Sequence, residues 1–148
     1  MRVLVGFLLG AMWLTGREGI PLDEYRARRD RLREALPGAV IVLVGATESE
    51  SGSLRSGFFQ EANFLYLSGW REPGAAMLLA PGQDILFLPD RSERRERYTG
   101  AKLAAGDPGA VERTGFSTVL SLAQLEPRLR DAAAASAPVF TLLKAPGF

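Results

Sequence analysis

Apolar and polar positions along this chain change their period several times, and each change marks an element. Just after Ile20, Pro21 sits near a helix start and Asp23 and Glu24 fall in the first turn. Tyr25, Leu32, Ala35 and Leu36 then recur at helical spacing as one apolar stripe. Arg26, Arg28, Arg29, Arg31 and Arg33 cover the remaining faces. Asp30 and Glu34 interrupt them, so the pattern predicts a solvated basic face rather than an anion-binding stripe. Pro37 and Gly38 stop the helix.

From Ala39 to Val44 the chain is continuously apolar and largely β-branched, the mark of a strand buried on both faces. Gly45 to Gly57 is small and polar and reads as a long loop. Phe64 to Leu67 is predicted as a second strand, broken by Ser68 and Gly69. After the turn residues Glu72, Pro73 and Gly74, a third strand runs from Ala75 to Ala80. Pro81 and Gly82 turn it into a fourth, Asp84 to Leu88, paired with it as a hairpin. Mixed charges from Asp90 to Arg97 suit an exposed loop or a first helical turn. Asp107 and Pro108 open a short helical segment, and Phe116 to Leu120 reads as another strand. Ser121 to Ala135 is Leu- and Ala-rich and therefore helical, even with Pro127 early in it, and Pro138 to Leu143 reads as a final strand. Strands alternating with helices, some of them long apolar runs, imply an α/β layered domain with a mixed sheet.

The first residues follow another logic. Arg2, an apolar run from Val3 to Leu14, and then Thr15, Gly16, Arg17 and Glu18 have the layout of a secretory signal. The run is too short to span a bilayer, which needs about 20 apolar residues. The expectation is a leader over residues 1–16, a domain over residues 20–148, and export to the periplasm or beyond. A buried first element in a cytoplasmic protein is the alternative.

Composition chiefly removes possibilities. A length of 148 residues suits one soluble domain, and 18 basic against 17 acidic residues, mixed along the chain, give no field that would favour nucleic acid. There is no Cys, which excludes disulfides, thiol nucleophiles and zinc-thiolate sites. There is no His either, so the chain lacks the usual general base near neutral pH and the commonest transition-metal ligand. Neither G-x-G-x-x-G nor G-x-x-x-x-G-K-[ST] occurs. Thr99 with Lys102, and Thr141 with Lys144, have the spacing of a hydroxyl–lysine dyad, a spacing common by chance. Glu48 with Glu50 and Asp90 with Glu93 sit in polar stretches that favour solvated carboxylates over cation ligation. The aromatics Phe58, Phe59, Phe64, Tyr66 and Trp70 have only Arg55 and Arg71 beside them, which favours core and rim packing over base stacking.

The run from Phe58 to Pro73, with Gln60, F-x-Y-L-S-G at Phe64, Tyr66 and Gly69, and the turn Glu72-Pro73, is similar to the signature of the amino-terminal domain of Xaa-Pro aminopeptidases. Tyr25 to Leu36 resembles the family's opening Y-x-x-R-R-x-x-L helix, and Ala39 to Val44 its first strand. Asp84 to Asp90 resembles its I-L-F-L strand, and Glu96 to Gly100, with Tyr98, its E-x-[WY]-T-G turn. The sequence departs from the pattern at Gly57, Phe59 and Ala101, where Pro, a polar residue and a basic residue are usual. The resemblance implies a mixed sheet of about five to six strands flanked by helices on both faces. It also implies a separate carboxy-terminal pita-bread domain, where two Asp, one His and two Glu hold a pair of metal ions, commonly manganese, that activate a water. The sequence stops at Phe148, before that domain. The amino-terminal domain would then be an accessory piece of a metal-dependent Xaa-Pro aminopeptidase, with its own catalytic domain, a peptide substrate and further copies of itself as partners. By the same resemblance Tyr98 lies near the substrate entrance, Gln60, Phe64, Tyr66, Gly69, Glu72, Pro73 and Gly100 are structural motif positions, and no residue here is catalytic or binds metal. A free-standing peptide- or protein-binding scaffold is the alternative.

Overall fold

A computed structural model describes residues 19–48 and 57–142. The leader, Glu50, Arg55 and Lys144 lie outside these residues. Among the described residues no helix is long and apolar enough to cross a membrane.

Helix α1 (Leu22–Ala35) leads into β1 (Val40–Val44), α2 (Ala62–Ser68), and the hairpin β2 (Ala76–Ala80) and β3 (Gln83–Leu88). Then follow α3 (Glu93–Thr99), α4 (Ala110–Thr114), β4 (Thr118–Ser121), a 3-10 turn (Leu122–Gln124), α5 (Leu125–Ala134) and β5 (Val139–Thr141). The strands form one sheet in the order β4-β3-β2-β1-β5. β1 and β2 pair antiparallel, as do β2 and β3, while β3–β4 and β1–β5 are parallel. The mixed sheet expected from the alternation of elements is therefore present, with five strands.

Each face of the sheet carries its own apolar layer. On one side Ile41, Leu43, Met77, Leu79, Leu86 and Leu88 pack with Phe64, Leu67, Trp70 and Phe116. On the other Val42, Leu78, Ile85 and Phe87 are covered by Leu122, Leu125 and Leu129 from the 3-10 turn and α5. Consecutive strand residues point to opposite faces, so two covered faces require the unbroken apolar runs seen in β1, β2 and β3. Pro127 falls in the first turn of α5, where its missing N–H has no intrahelical acceptor to lose.

Two expectations are corrected. Phe64 to Leu67 is helix, not strand. Aromatic and branched side chains suggested β-structure, but the burial of Phe64, Leu67 and Ser68 follows helical spacing. The Glu61 carboxylate caps the helix, accepting from the backbone N–H of Asn63 at 3.1 Å and Phe64 at 2.6 Å. At the other end Ser68 donates its hydroxyl to the Phe64 carbonyl at 2.6 Å and accepts from the Trp70 N–H at 3.0 Å.

The second correction concerns α1. Its basic residues do not all face water, because Arg29 is completely buried. Nε donates to Asp84 at 2.8 Å, and the two terminal nitrogens donate to the carbonyls of Leu67 at 3.0 Å and Gly115 at 2.6 Å. The guanidinium lies 3.9 Å from the centre of the Phe116 ring. Asp84 in turn accepts from the Ser117 N–H at 2.8 Å, and the Ser117 hydroxyl donates to the Asp84 carbonyl at 2.6 Å. One side chain thereby ties α1 to α2, β3 and the chain entering β4.

Candidate functional site

The residues with the most chemistry gather around a cleft beside α3. Its walls are Trp70, Glu72 and Pro73 before β2, Pro89, Asp90 and Ser92 after β3, Glu96 of α3, and Lys102 with Leu103. Glu48 also lines it. Its volume is about 70 Å³, enough for a few waters.

Gln60 sets the shape of this region. Its side-chain oxygen accepts from the N–H of Ala46 at 2.7 Å and of Glu61 at 2.9 Å, while its nitrogen donates to the Glu72 carbonyl at 3.0 Å. The segments after β1, before α2 and before β2 are thus pinned by one amide. Gly45 is part of the same joint: a Cβ there would lie 2.9 Å from the Gln60 oxygen and 3.1 Å from the Ala75 carbonyl. Truncation by Gln60→Ala strands three backbone groups and is expected to cost about 1–3 kcal/mol in a urea titration. A loss below about 0.5 kcal/mol would show that water replaces the amide.

A charge clamp joins the segments on either side of α3. One terminal nitrogen of Arg91 reaches both Asp107 oxygens, at 2.6 and 2.7 Å, and Asp107 also accepts from the Ala104 N–H at 2.9 Å. That backbone hydrogen bond, together with the Arg91 guanidinium, holds the Asp107 carboxyl below the usual carboxylate range. The carboxylate raises Arg91 in return. Glu96 stands 3.9 Å from Arg91, and Lys102 reaches Glu72 at 3.8 Å across the cleft. Both pairs are partly solvated and contribute geometry more than energy. The last turn of α3 carries Tyr98, 86% exposed, and Gly100 ends the helix at a positive φ of 77°.

The motif positions therefore divide. Gln60, Glu72 and Pro73 meet at the cleft, Tyr98 and Gly100 stand beside it on α3, and Phe64 and Gly69 belong to the core layer and the end of α2. Tyr66 is separate. It lies against α1, with the Arg28 guanidinium 4.3 Å from its ring centre and donating to its carbonyl at 3.0 Å. Sequence reasoning missed Glu61, whose E-x-N-F context is a capping signal, and also the Arg91–Asp107 clamp, whose partners are too far apart in sequence to leave a local pattern. Asp107 serves that clamp rather than starting α4, which begins at Ala110. No group of three His, Cys, Asp or Glu positioned to hold a metal ion occurs among the described residues.

The sequence profile of the family described as "Aminopeptidase P, N-terminal domain" matches residues 25–140. The chain belongs to this family. Human Xaa-Pro aminopeptidase 3 is 30% identical over 126 residues, covering 73% of this chain and 24% of that protein. Intermediate cleaving peptidase 55 of Saccharomyces cerevisiae is 40% identical over 91 residues, covering 55% of this chain and 18% of its own length. Aminopeptidase P from Escherichia coli, solved with the inhibitor Pro-Leu, superposes with a TM-score of 0.62 at 25% identity over 76% of this chain and 27% of that one. An aminopeptidase P described as putative, from Bacillus anthracis, shares the fold with a TM-score of 0.71 at 19% identity, covering 87% of this chain and 32% of its own. The chain thus spans from 18% to 32% of the length of these relatives. Within the aminopeptidase P N-terminal fold, two motif stretches that lie apart in sequence, Phe58 to Pro73 and Glu96 to Gly100, both contribute walls to the cleft, through Trp70, Glu72 and Pro73 and through Glu96.

Proposed function

We propose that this chain works as the accessory amino-terminal domain of a metal-dependent Xaa-Pro aminopeptidase, narrowing the approach of peptides with Pro in second position to a catalytic centre on another domain. The observation that carries this reading is Tyr98, a large aromatic left 86% exposed in the last turn of α3, a helix whose flanking segments are joined by the Arg91–Asp107 clamp. An aromatic held out into solvent adds little to its own domain and suits contact with a second surface or a passing peptide. Glu96 of the same helix lines the neighbouring cleft, so α3 acts as its rim.

The residues present do not suit a metal pair. The chain has neither His nor Cys, and its Asp and Glu near the cleft are engaged by Arg91 and Lys102 or spread along the walls. The manganese implied by the family would be held on a different domain, and no step of hydrolysis is assigned to these side chains. Two assays test the reading. The purified chain with added manganese should leave an Xaa-Pro peptide intact, and metal-dependent cleavage by it would refute the accessory role. In a chimera carrying residues 21–142 in place of the matching part of the E. coli relative, Tyr98→Ala should raise KM by about three- to tenfold with kcat held within about twofold. An unchanged KM would remove Tyr98 from the entrance.

A further inference from the structure

Val3 to Leu14 is a run of twelve uncharged, almost wholly apolar residues, too short to span a bilayer, and the accessory role gives it nothing to do. Soluble domains rarely leave so much contiguous apolar surface in water, so the run needs a surface that covers it. The folded domain offers one. Between α1, α2 and β1 lies a groove of about 530 Å³, lined by Leu32, Leu36, Ile41, Leu43 and Leu67 and bordered by Leu142. Phe140 is in register with Ile41, so it stands on the same face of the sheet, and it and Leu142 are 45% and 47% exposed.

The polar groups of the groove select an uncharged occupant. Arg28 donates to Glu24 at 3.0 Å and to the Tyr66 carbonyl at 3.0 Å, and Arg31 lies 3.5 Å from the same Glu24 carboxylate. Asn63 donates its amide to Glu61 at 3.0 Å. These three lining residues are engaged within the domain, so a charged partner gains little from them and an apolar one leaves none of them stranded. Reach agrees with this choice. The groove's α1 residues run from Arg28 to Leu36, and Leu36 lies about 21 Å along the helix from Leu22. Residues 15–18 span about 13 Å when extended, and residues 3–14 cover about 18 Å even at the helical rise of about 1.5 Å per residue. The run can therefore turn back along α1 as far as β5. The six residues after Leu142 suit the groove less well, since Lys144 would enter an apolar recess beside Arg28 and Arg31.

We infer that residues 3–14 are the groove's own cover, seated with one face against its apolar floor and the amino end beside β5, and so retained as part of the fold. This inference is independent of the entrance role of Tyr98. The full chain contains no Cys, so a nitroxide attached at Arg2→Cys reports where the amino end lies. It should broaden the amide resonances of Leu36, Thr141 and Leu142. Adding Leu9→Asp within the run should abolish that broadening and leave the circular dichroism spectrum unchanged. Deleting residues 1–16 should speed amide exchange in β5 by roughly tenfold or more. A groove whose resonances the nitroxide never broadens, or exchange in β5 unmoved by the deletion, would overturn the inference. Broadening that appears only when the isotope label and the nitroxide are on different molecules would also overturn it, by making a second copy the occupant. So would protein from its native cells whose first residue lies after residue 16, because the run would then be removed rather than packed.

Discussion

Arg29→Ala is expected to lower the unfolding free energy by about 3–5 kcal/mol, more than any surface change in this domain. The magnitude follows from what the guanidinium leaves behind. Asp84, 5% exposed, would keep a buried charge without its cation, and the carbonyls of Leu67 and Gly115 would lose their donors. A double variant, Arg29→Met with Asp84→Ala, removes both charges but leaves the two carbonyls orphaned. It should therefore recover only part of the loss, unlike a simple ion pair replaced by apolar residues. Urea midpoints of the single and double variants measure this, and a single-variant loss below about 1 kcal/mol would reduce Arg29 to a space filler. Acid acts on the same network. Burial pushes the Asp84 carboxyl up, but hydrogen bonds from Ser117 and the Arg29 charge outweigh that and hold it below its ordinary value, while burial draws Arg29 down. A carboxyl depressed in the folded state adds stability above its unfolded value of about 4 and gives it up as pH falls through its folded value. Wild-type stability should fall below about pH 4, and the Asp84→Asn variant should lack that component of the fall.

The burial of Arg29 is legible in principle, but its neighbours mislead. It lies four residues after Tyr25 and three before Leu32, squarely on the apolar stripe, yet a run of arginines on one helix invites a solvated reading of all of them. Only a partner decides the case, and Asp84 is 55 residues away in the chain. The same limit governs the site. Strands β1, β2 and β3 could be read because two-sided burial writes unbroken apolar runs into the sequence, and the hairpin because Pro81 and Gly82 mark its turn. The cleft could be read only as motif stretches, since the contacts of Gln60 with Ala46 and Glu72 and of Arg91 with Asp107 leave no periodicity. Helix α2 failed for the opposite reason. Phe64 and Tyr66 favour strand, and a seven-residue helix is too short for its period to outweigh them, so the deciding signals are its ends, Glu61 and Gly69.

Gly69→Ala should cost about 2–4 kcal/mol, because two separate requirements meet at that residue. Gly69 ends α2 in the left-handed region at φ 66°, donating its N–H to the Leu65 carbonyl at 2.8 Å. An L side chain there is strained by about 1–2 kcal/mol even in open space. Here the space is also closed, since a Cβ would lie 2.7 Å from the Tyr25 ring, and Tyr25 is buried against α2 at 6% exposure. The ring must yield or the end of α2 must lift away from α1, and lifting α2 would disturb the Leu67 carbonyl that accepts from Arg29. Gly82 provides the internal comparison. Its φ is 71°, nearly the same, but nothing lies within 4 Å of an added Cβ. Gly82→Ala should therefore show the backbone cost alone, and the difference between the two losses measures the contact with Tyr25. Pairing Gly69→Ala with Tyr25→Leu should recover that difference, less what removal of the ring itself costs. Equal losses for Gly69→Ala and Gly82→Ala in parallel urea titrations would mean that α1 and α2 are not packed closely enough for the end of α2 to be set by the Tyr25 ring.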